Sequence, residues 1–220
     1  MSKEKKRKLS IHKLYVLFVI IIFGVFIYLY ATNIYKDFFS KPEEKQEEII
    51  EEVKLSEIKD YGYTLKERDS EYYEGLFNHL NEVLTAPEID YQDYARTIAS
   101  MFVVDYYTLS NKRASTDVGG IEFLYSKFVD NFLINAQENM YKSIQTDFDG
   151  TRTQKLPTVT NVEVKSIKDA TLTYKSKKYP GYKLVIEWEY ENDYGYETKG
   201  TFNVINIKDK LYLYSKTGSY

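Results

Sequence analysis

The 220 residues carry a net charge of −3 and no cysteine, which excludes disulfides and any thiolate metal site. Residues 1–13 hold about +5 and the rest about −8, so the bulk of the chain would repel phosphates and is not a nucleic-acid binder. The hydrophobic fraction of 43% suffices for a core, and the length suits one ordinary domain plus appendages.

The first element is apolar. From Leu14 to Tyr35, "LYVLFVIIIFGVFIYLYATNIY", no residue carries a formal charge. A helix of 22 residues reaches roughly 33 Å, enough to cross a bilayer's hydrocarbon layer. The basic cluster before it (Lys3, Lys5, Lys6, Arg7, Lys8, Lys13) predicts a cytoplasmic N-terminus, and Tyr15, Tyr28, Tyr30 and Tyr35 sit near the two ends, as interfacial rings do. A cleaved signal peptide fits less well, because bulky residues occupy the place of a small-x-small cleavage site. A buried core helix of this length without a polar interruption fits poorly too. The reading is a single-pass anchor in the cell membrane, with the remainder extracytoplasmic.

Residues 36–63 follow as a charged stalk. "KPEEKQEEIIEEVKLSEIKD", 41–60, offers only a thin apolar stripe of Ile49, Ile50, Val53 and Ile58. A coiled coil would span too few heptads here. Thr64 and Glu67 then fit a capping box for a helix carrying Leu65, Tyr72, Tyr73, Leu76, Leu80, Val83 and Leu84, stopped by Pro87. Asp90 caps a second helix whose stripe runs from Tyr94 to Leu109. Asp117 caps a third and longest helix, with Ile121, Leu124, Phe128, Phe132, Ala136, Met140 and Ile144 on one face.

After "TDFDGTRTQKLP" the period changes from 3.6 to 2. Val162 and Val164, Leu172 and Tyr174, then Leu184, Ile186, Trp188 and Tyr190 alternate with polar residues. Tyr196, Thr198, Phe202 and Val204 continue beyond a turn, and "KLYLYS" closes the chain. About four antiparallel strands in sequence order, with one apolar and one charged face, are expected to carry helices on one side. The fold class is α+β: three helices packed on a four-stranded antiparallel sheet. Broken alternation at Ile205 and Ile207 marks a bulge or strand end there. Leu184, Ile186, Trp188, Tyr196, Phe202 and Val204 are expected to be core under the third helix.

Catalytic signals are sparse. His12 and His79 are the two histidines, and no HExxH, EF-hand or phosphate-loop pattern occurs. "DFDGTR" reads as a plain turn, and Gly119-Gly120 as an easy start for a helix. Ser110 and Ser115 have no visible base. Asp105 is the one carboxylate on an apolar helix face. Buried, it would have a raised pKa and, with His79 beside it, would make an acid–base pair, although a surface position or a bond to a tyrosine or lysine also accounts for it. Tyrosines gather in the sheet (Tyr182, Tyr190, Tyr194, Tyr196, Tyr212, Tyr214), which suits interface anchors and ordinary strands alike. Asp105, Trp188, Tyr190, Tyr194 and Tyr196 are the candidates for a cavity or interface. No catalytic, cofactor-binding or metal-ligating residue is assigned.

A short basic tail, one membrane helix, a charged stalk, helices and then the Trp188–Ser215 meander resemble the NTF2-like (cystatin-like) superfamily over residues 64–220. Among membrane-tethered members the chain is most similar to the VirB8/TcpC-type proteins of type IV secretion and conjugation machines. Many NTF2-like domains place a helix between the first two strands, and Lys168–Tyr182 shows none. The resemblance implies a non-enzymatic assembly factor without cofactors that binds other envelope proteins, often as an oligomer. The alternatives are an extracytoplasmic sensor with a small apolar-ligand cavity and a hydrolase or isomerase built on Asp105 and His79.

Overall fold

The computed structural model describes residues 25, 28 and 53–217. Among them no helix is long and apolar enough to cross a membrane. The expected span at 14–35 lies outside them apart from Val25 and Tyr28, which are helical. Glu52–Tyr220 forms one compact unit.

That unit is α+β, with three α-helices and a four-stranded antiparallel sheet. It begins earlier than expected. Instead of a stalk ending at residue 63 and a capping box at Thr64, strands β1 (Lys54–Ile58) and β2 (Tyr63–Lys66) form a hairpin. Ile58, Tyr63 and Leu65 are buried in the main core. Their alternation with Glu57 and Thr64 has period 2, and Gly62 at φ 69° makes the turn between the strands.

Helix α1 (Glu71–Thr85) is capped by Ser70, whose Oγ accepts from Tyr73 N at 3.1 Å. It ends where Ala86, extended before Pro87, cannot continue it. Helix α2 (Tyr91–Tyr107) starts at Asp90 as the sequence implies, with Oδ1 accepting from Gln92 N and Asp93 N. Twelve of its 17 residues are buried, because α2 lies between α1 and the sheet. The long third helix is not formed. Gly120 at φ 79°, a 3₁₀ turn (Ile121–Phe123) and extended Leu124 come first, and α3 runs only over Ser126–Glu138. Only Ala136 of α3 is fully buried, so α2 rather than the third helix covers the sheet.

The sheet is a meander of β3 (Val159–Tyr174), β4 (Lys177–Tyr190), β5 (Lys199–Ile207) and β6 (Lys210–Thr217). Leu184, Ile186, Trp188, Phe202 and Val204 are core as expected, while Tyr196 is only half-buried in a second cluster with Leu109, Tyr141, Ile144 and Leu156. A bulge between Val164 and Ser166 shifts the facing of β3, so Ile167 opposes Leu184 on the helix side and Leu172 and Tyr174 turn to the other side. There Tyr174 meets Phe128 (5.1 Å between centroids) and Tyr125, and Tyr214 Oη donates to Thr173 O at 2.9 Å. The outer face is therefore partly aromatic rather than uniformly charged. Of the bulge or strand end expected at Ile205–Ile207 the strand end is found, since β5 stops at Ile207, and a bulge lies at Asn203/Val204, where Tyr214 of β6 is the extra residue.

Both flanking hairpins use two-residue turns with positive φ at each centre: Lys175 and Ser176, then Lys208 and Asp209. This is the type I′ geometry that matches strand twist, adopted without the usual Asn-Gly pair. Ser176→Gly and Asp209→Gly are each expected to stabilise the domain by about 0.5–1 kcal/mol by relieving the left-handed conformation, read as an upward shift of the denaturation midpoint.

Candidate functional site

The five candidate residues fall into two separate places. Asp105 sits near the C-terminal end of α2 and is 8% exposed. Burying an ionised carboxylate requires a counter-charge and donors. Lys112, seven residues on in the loop after α2, supplies Nζ at 2.6 Å from Oδ1 and is itself 6% exposed. Gly120 N donates to Oδ2 at 2.7 Å. Burial alone would push the Asp105 carboxyl up, but the Lys112 ammonium, Lys66 and the Gly120 N–H outweigh it and hold the pKa below the usual carboxylate range. The Asp105 carboxyl is thus lowered by its partners and not raised as a general base would be.

His79 is not its partner. It lies half-exposed on α1 with Nε2 3.0 Å from Asp93 Oδ2. The alternative of an acid–base pair is not formed, and the bond to a lysine set beside it is the one found, so the enzymatic reading built on Asp105 and His79 loses its geometric basis.

The loop around Lys112 is held from several sides. Arg152 donates to Lys112 O and Ser110 O, each at 2.7 Å, and its backbone N donates to Asp147 Oδ1. The "DFDGTR" turn therefore positions a guanidinium clamp. Leu109 N and Ser110 N donate to Pro157 O. Gly119 N donates to Tyr141 Oη, which in turn donates to Tyr106 O at 2.7 Å. A Cβ at Gly119 would lie 2.3 Å from Asp105 O, so this glycine serves close approach, while Gly120 stands at the start of the 3₁₀ turn, as the easy helix start expected of the pair.

Glu122 on the 3₁₀ turn adds a second, half-buried carboxylate. It accepts from Thr64 Oγ1 at 2.8 Å and Tyr73 Oη at 3.0 Å, joining β2 to α1. Asp117 accepts from Arg68 Nη1 and Arg113 N. Asp69, which accepts from Lys66 N at 2.7 Å, is pushed up to about 6 by burial and by the Asp105 charge. Glu122 is raised by the same two causes.

The other four candidates, on β4 and the β4–β5 loop, lie by the C-terminal end of α2. The Trp188 ring lies tilted against Tyr107, centroids 4.6 Å apart, and its Nε1 is buried without a well-formed hydrogen bond. Tyr107 Oη donates to Glu197 Oε1 at 2.7 Å, and Tyr190 Oη to Glu197 O at 3.0 Å. Tyr190 and Tyr196 approach to 6.3 Å. The β4–β5 loop is thereby folded onto the sheet end, leaving Tyr194 at its tip 40% exposed. These contacts close the aromatic end rather than open a cavity.

The surface of the described residues includes two depressions. One of about 380 Å³ is lined by Glu163, Lys165, Glu187, Glu189 and Lys199, and one of about 440 Å³ by Asp169, Thr171, Pro180, Tyr182 and Asn206. Among the described residues no group of three or more His, Cys, Asp or Glu could hold a metal ion. No protein-family model, curated protein or solved structure matches the chain. The sequence reading missed Lys112, Glu122 and Arg152 because loop cations and a lone glutamate carry no periodic signal. The Gly119-Gly120 pair was visible as a helix start, but the close approach of Gly119 to Asp105 was not.

Lys112→Met is expected to cost about 3–5 kcal/mol, since it leaves Asp105 buried and unpaired, as measured by chemical denaturation. The pH response has a definite sign. The folded-state pKa values of Asp69 and Glu122 lie above their unfolded values, so stability grows as pH falls from 7 through about 6. Asp105 and Asp117 are lowered, and their contribution is lost only below about pH 4. A melting temperature higher at pH 5.5 than at 7.5 is expected, with the gain reduced in Asp69→Asn.

Proposed function

We propose that the chain is a non-enzymatic scaffold subunit, anchored in the cell membrane by residues 14–35, whose outer domain binds other envelope proteins within a type IV secretion or conjugative transfer complex. The observation that carries the non-enzymatic part is the use made of Asp105. The one carboxylate on an apolar helix face is ion-paired, bonded to backbone and buried, leaving it no route to a substrate. The α+β arrangement of three helices and a four-stranded meander is consistent with the NTF2-like resemblance. The basic tail and uncharged 22-residue run support the anchor. Tethering raises the effective concentration of partners, so weak surface contacts suffice. Both depressions are open, the first mostly polar and the second mixed, which lends little to the apolar-ligand sensor.

Crosslinking with mass spectrometry on intact cells tests this reading. Lysines of the outer domain such as Lys168, Lys177 and Lys183 are expected to link to other envelope proteins, and the chain to stay in the membrane fraction after a high-salt wash. Release of the intact chain by salt, or links to cytoplasmic proteins alone, would contradict it.

A further inference from the structure

Strand β1 is the outermost strand of its hairpin. It pairs with β2 on one side, and among the described residues no strand pairs with its other edge. Val53 and Leu55 on this segment are 55% and 61% exposed.

The sequence of this edge is self-complementary. Residues 52–59 read EVKLSEIK. Laid antiparallel on a second copy of themselves, Glu52 faces Lys59, Val53 faces Ile58 and Lys54 faces Glu57, and two-fold symmetry makes each pair twice. Slipping the register by two residues one way sets Glu52 against Glu57, and the other way sets Lys54 against Lys59. Both slips bring like charges together, so the pattern selects one register.

The backbone geometry agrees. A bulge at Leu55 interrupts the pairing with β2 between Lys54 and Ser56. It puts Lys54 and Glu57 on the same face of the strand, where their side chains lie 4.0 Å apart. Opposed residues of an antiparallel pair share a face, so Lys54 of one copy meets Glu57 of the other only with this bulge. The two-fold axis passes through the bulge. A short, bulged edge carrying lysine resists indiscriminate strand addition, and the charge pattern admits one partner.

We propose that the free edge of β1 is a self-association site, pairing antiparallel with β1 of a second copy of this chain over residues 52–59. The inference rests on the membrane-anchored reading. One strand pair buries less than the roughly 1,200 Å² of a stable interface, and co-anchoring in one membrane supplies the missing effective concentration.

The chain has no cysteine, so single-cysteine variants of the full-length protein report the contact directly in membranes under mild oxidation. Leu55→Cys is expected to give a disulfide-linked dimer, and Val185→Cys, a control exposed on β4, roughly tenfold less. In the Leu55→Cys background, Lys54→Glu or Glu57→Lys alone should each lower the dimer yield by about tenfold. Coexpressing the two single variants should restore it, since each mixed pair is complementary and an ion pair within one chain gains nothing from rescue in trans. Leu55→Cys crosslinking no better than Val185→Cys, or a yield indifferent to the charge changes, would overturn the pairing. If the chain meanwhile remains in the membrane and links to other envelope proteins, the scaffold reading survives that failure. If salt releases the chain, both fall.

Discussion

A single ion pair organises the part of the fold that is hardest to build. Asp105 lies on the central helix, between α1 and the sheet, where an uncompensated charge could not remain. Its two oxygens are divided between Lys112 and Gly120 N, so the chain after α2 must turn back twice to reach them. That return brings Gly119 against the Asp105 carbonyl, too close for any side chain. It forces Gly120 into the left-handed region and delays the third helix to Ser126. It also lands Glu122 against Thr64 and Tyr73, which ties the N-terminal hairpin to α1. One buried carboxylate therefore sets the helix boundary, the loop path and the docking of the hairpin.

What the sequence made legible follows from the range of each interaction. Asp90 and Pro87 bound their helices through atoms a few residues away, and both readings agree with the structure. The period-2 pattern from Leu184 to Trp188 reports a face buried along its whole length, and it too was readable. Where local and long-range signals compete, the reading fails. Thr64 and Glu67 have capping-box spacing, yet Thr64 is in β2 because Tyr63 and Leu65 gain more by burial under a tyrosine cluster. There Tyr63 and Tyr94 hydroxyls lie 2.7 Å apart, and Lys210 Nζ sits 4.8 Å from the Tyr63 ring. Ile121 and Leu124 share a helical stripe with Phe128, yet the Asp105 contacts break the helix between them. Leu124 instead forms a bridge beside Leu213 of β6.

The candidate site was legible in kind and not in arrangement. Asp105 stood out as an isolated carboxylate, and the structure gives it an unusual environment, but of the opposite sign to a general base. Trp188, Tyr190 and Tyr196 do gather, around Tyr107 and Glu197, where they fasten the β4–β5 loop. Nothing in the spacing of an aromatic ladder distinguishes a pocket wall from a plug. What remains for recognition is the exterior: the β1 edge, the Tyr194 loop tip and the aromatic corner of Tyr125, Phe128 and Tyr174.

The protonation state of Asp105 decides whether this carboxylate serves structure or chemistry. Carbon-13 NMR of the Asp105 carboxyl in the full-length chain, followed from pH 7.5 downward, reads it directly. The account predicts a resonance that stays in the ionised range until the domain unfolds in acid. A resonance titrating reversibly in the folded domain between pH 5 and 8 would show a carboxyl poised for proton transfer and contradict it.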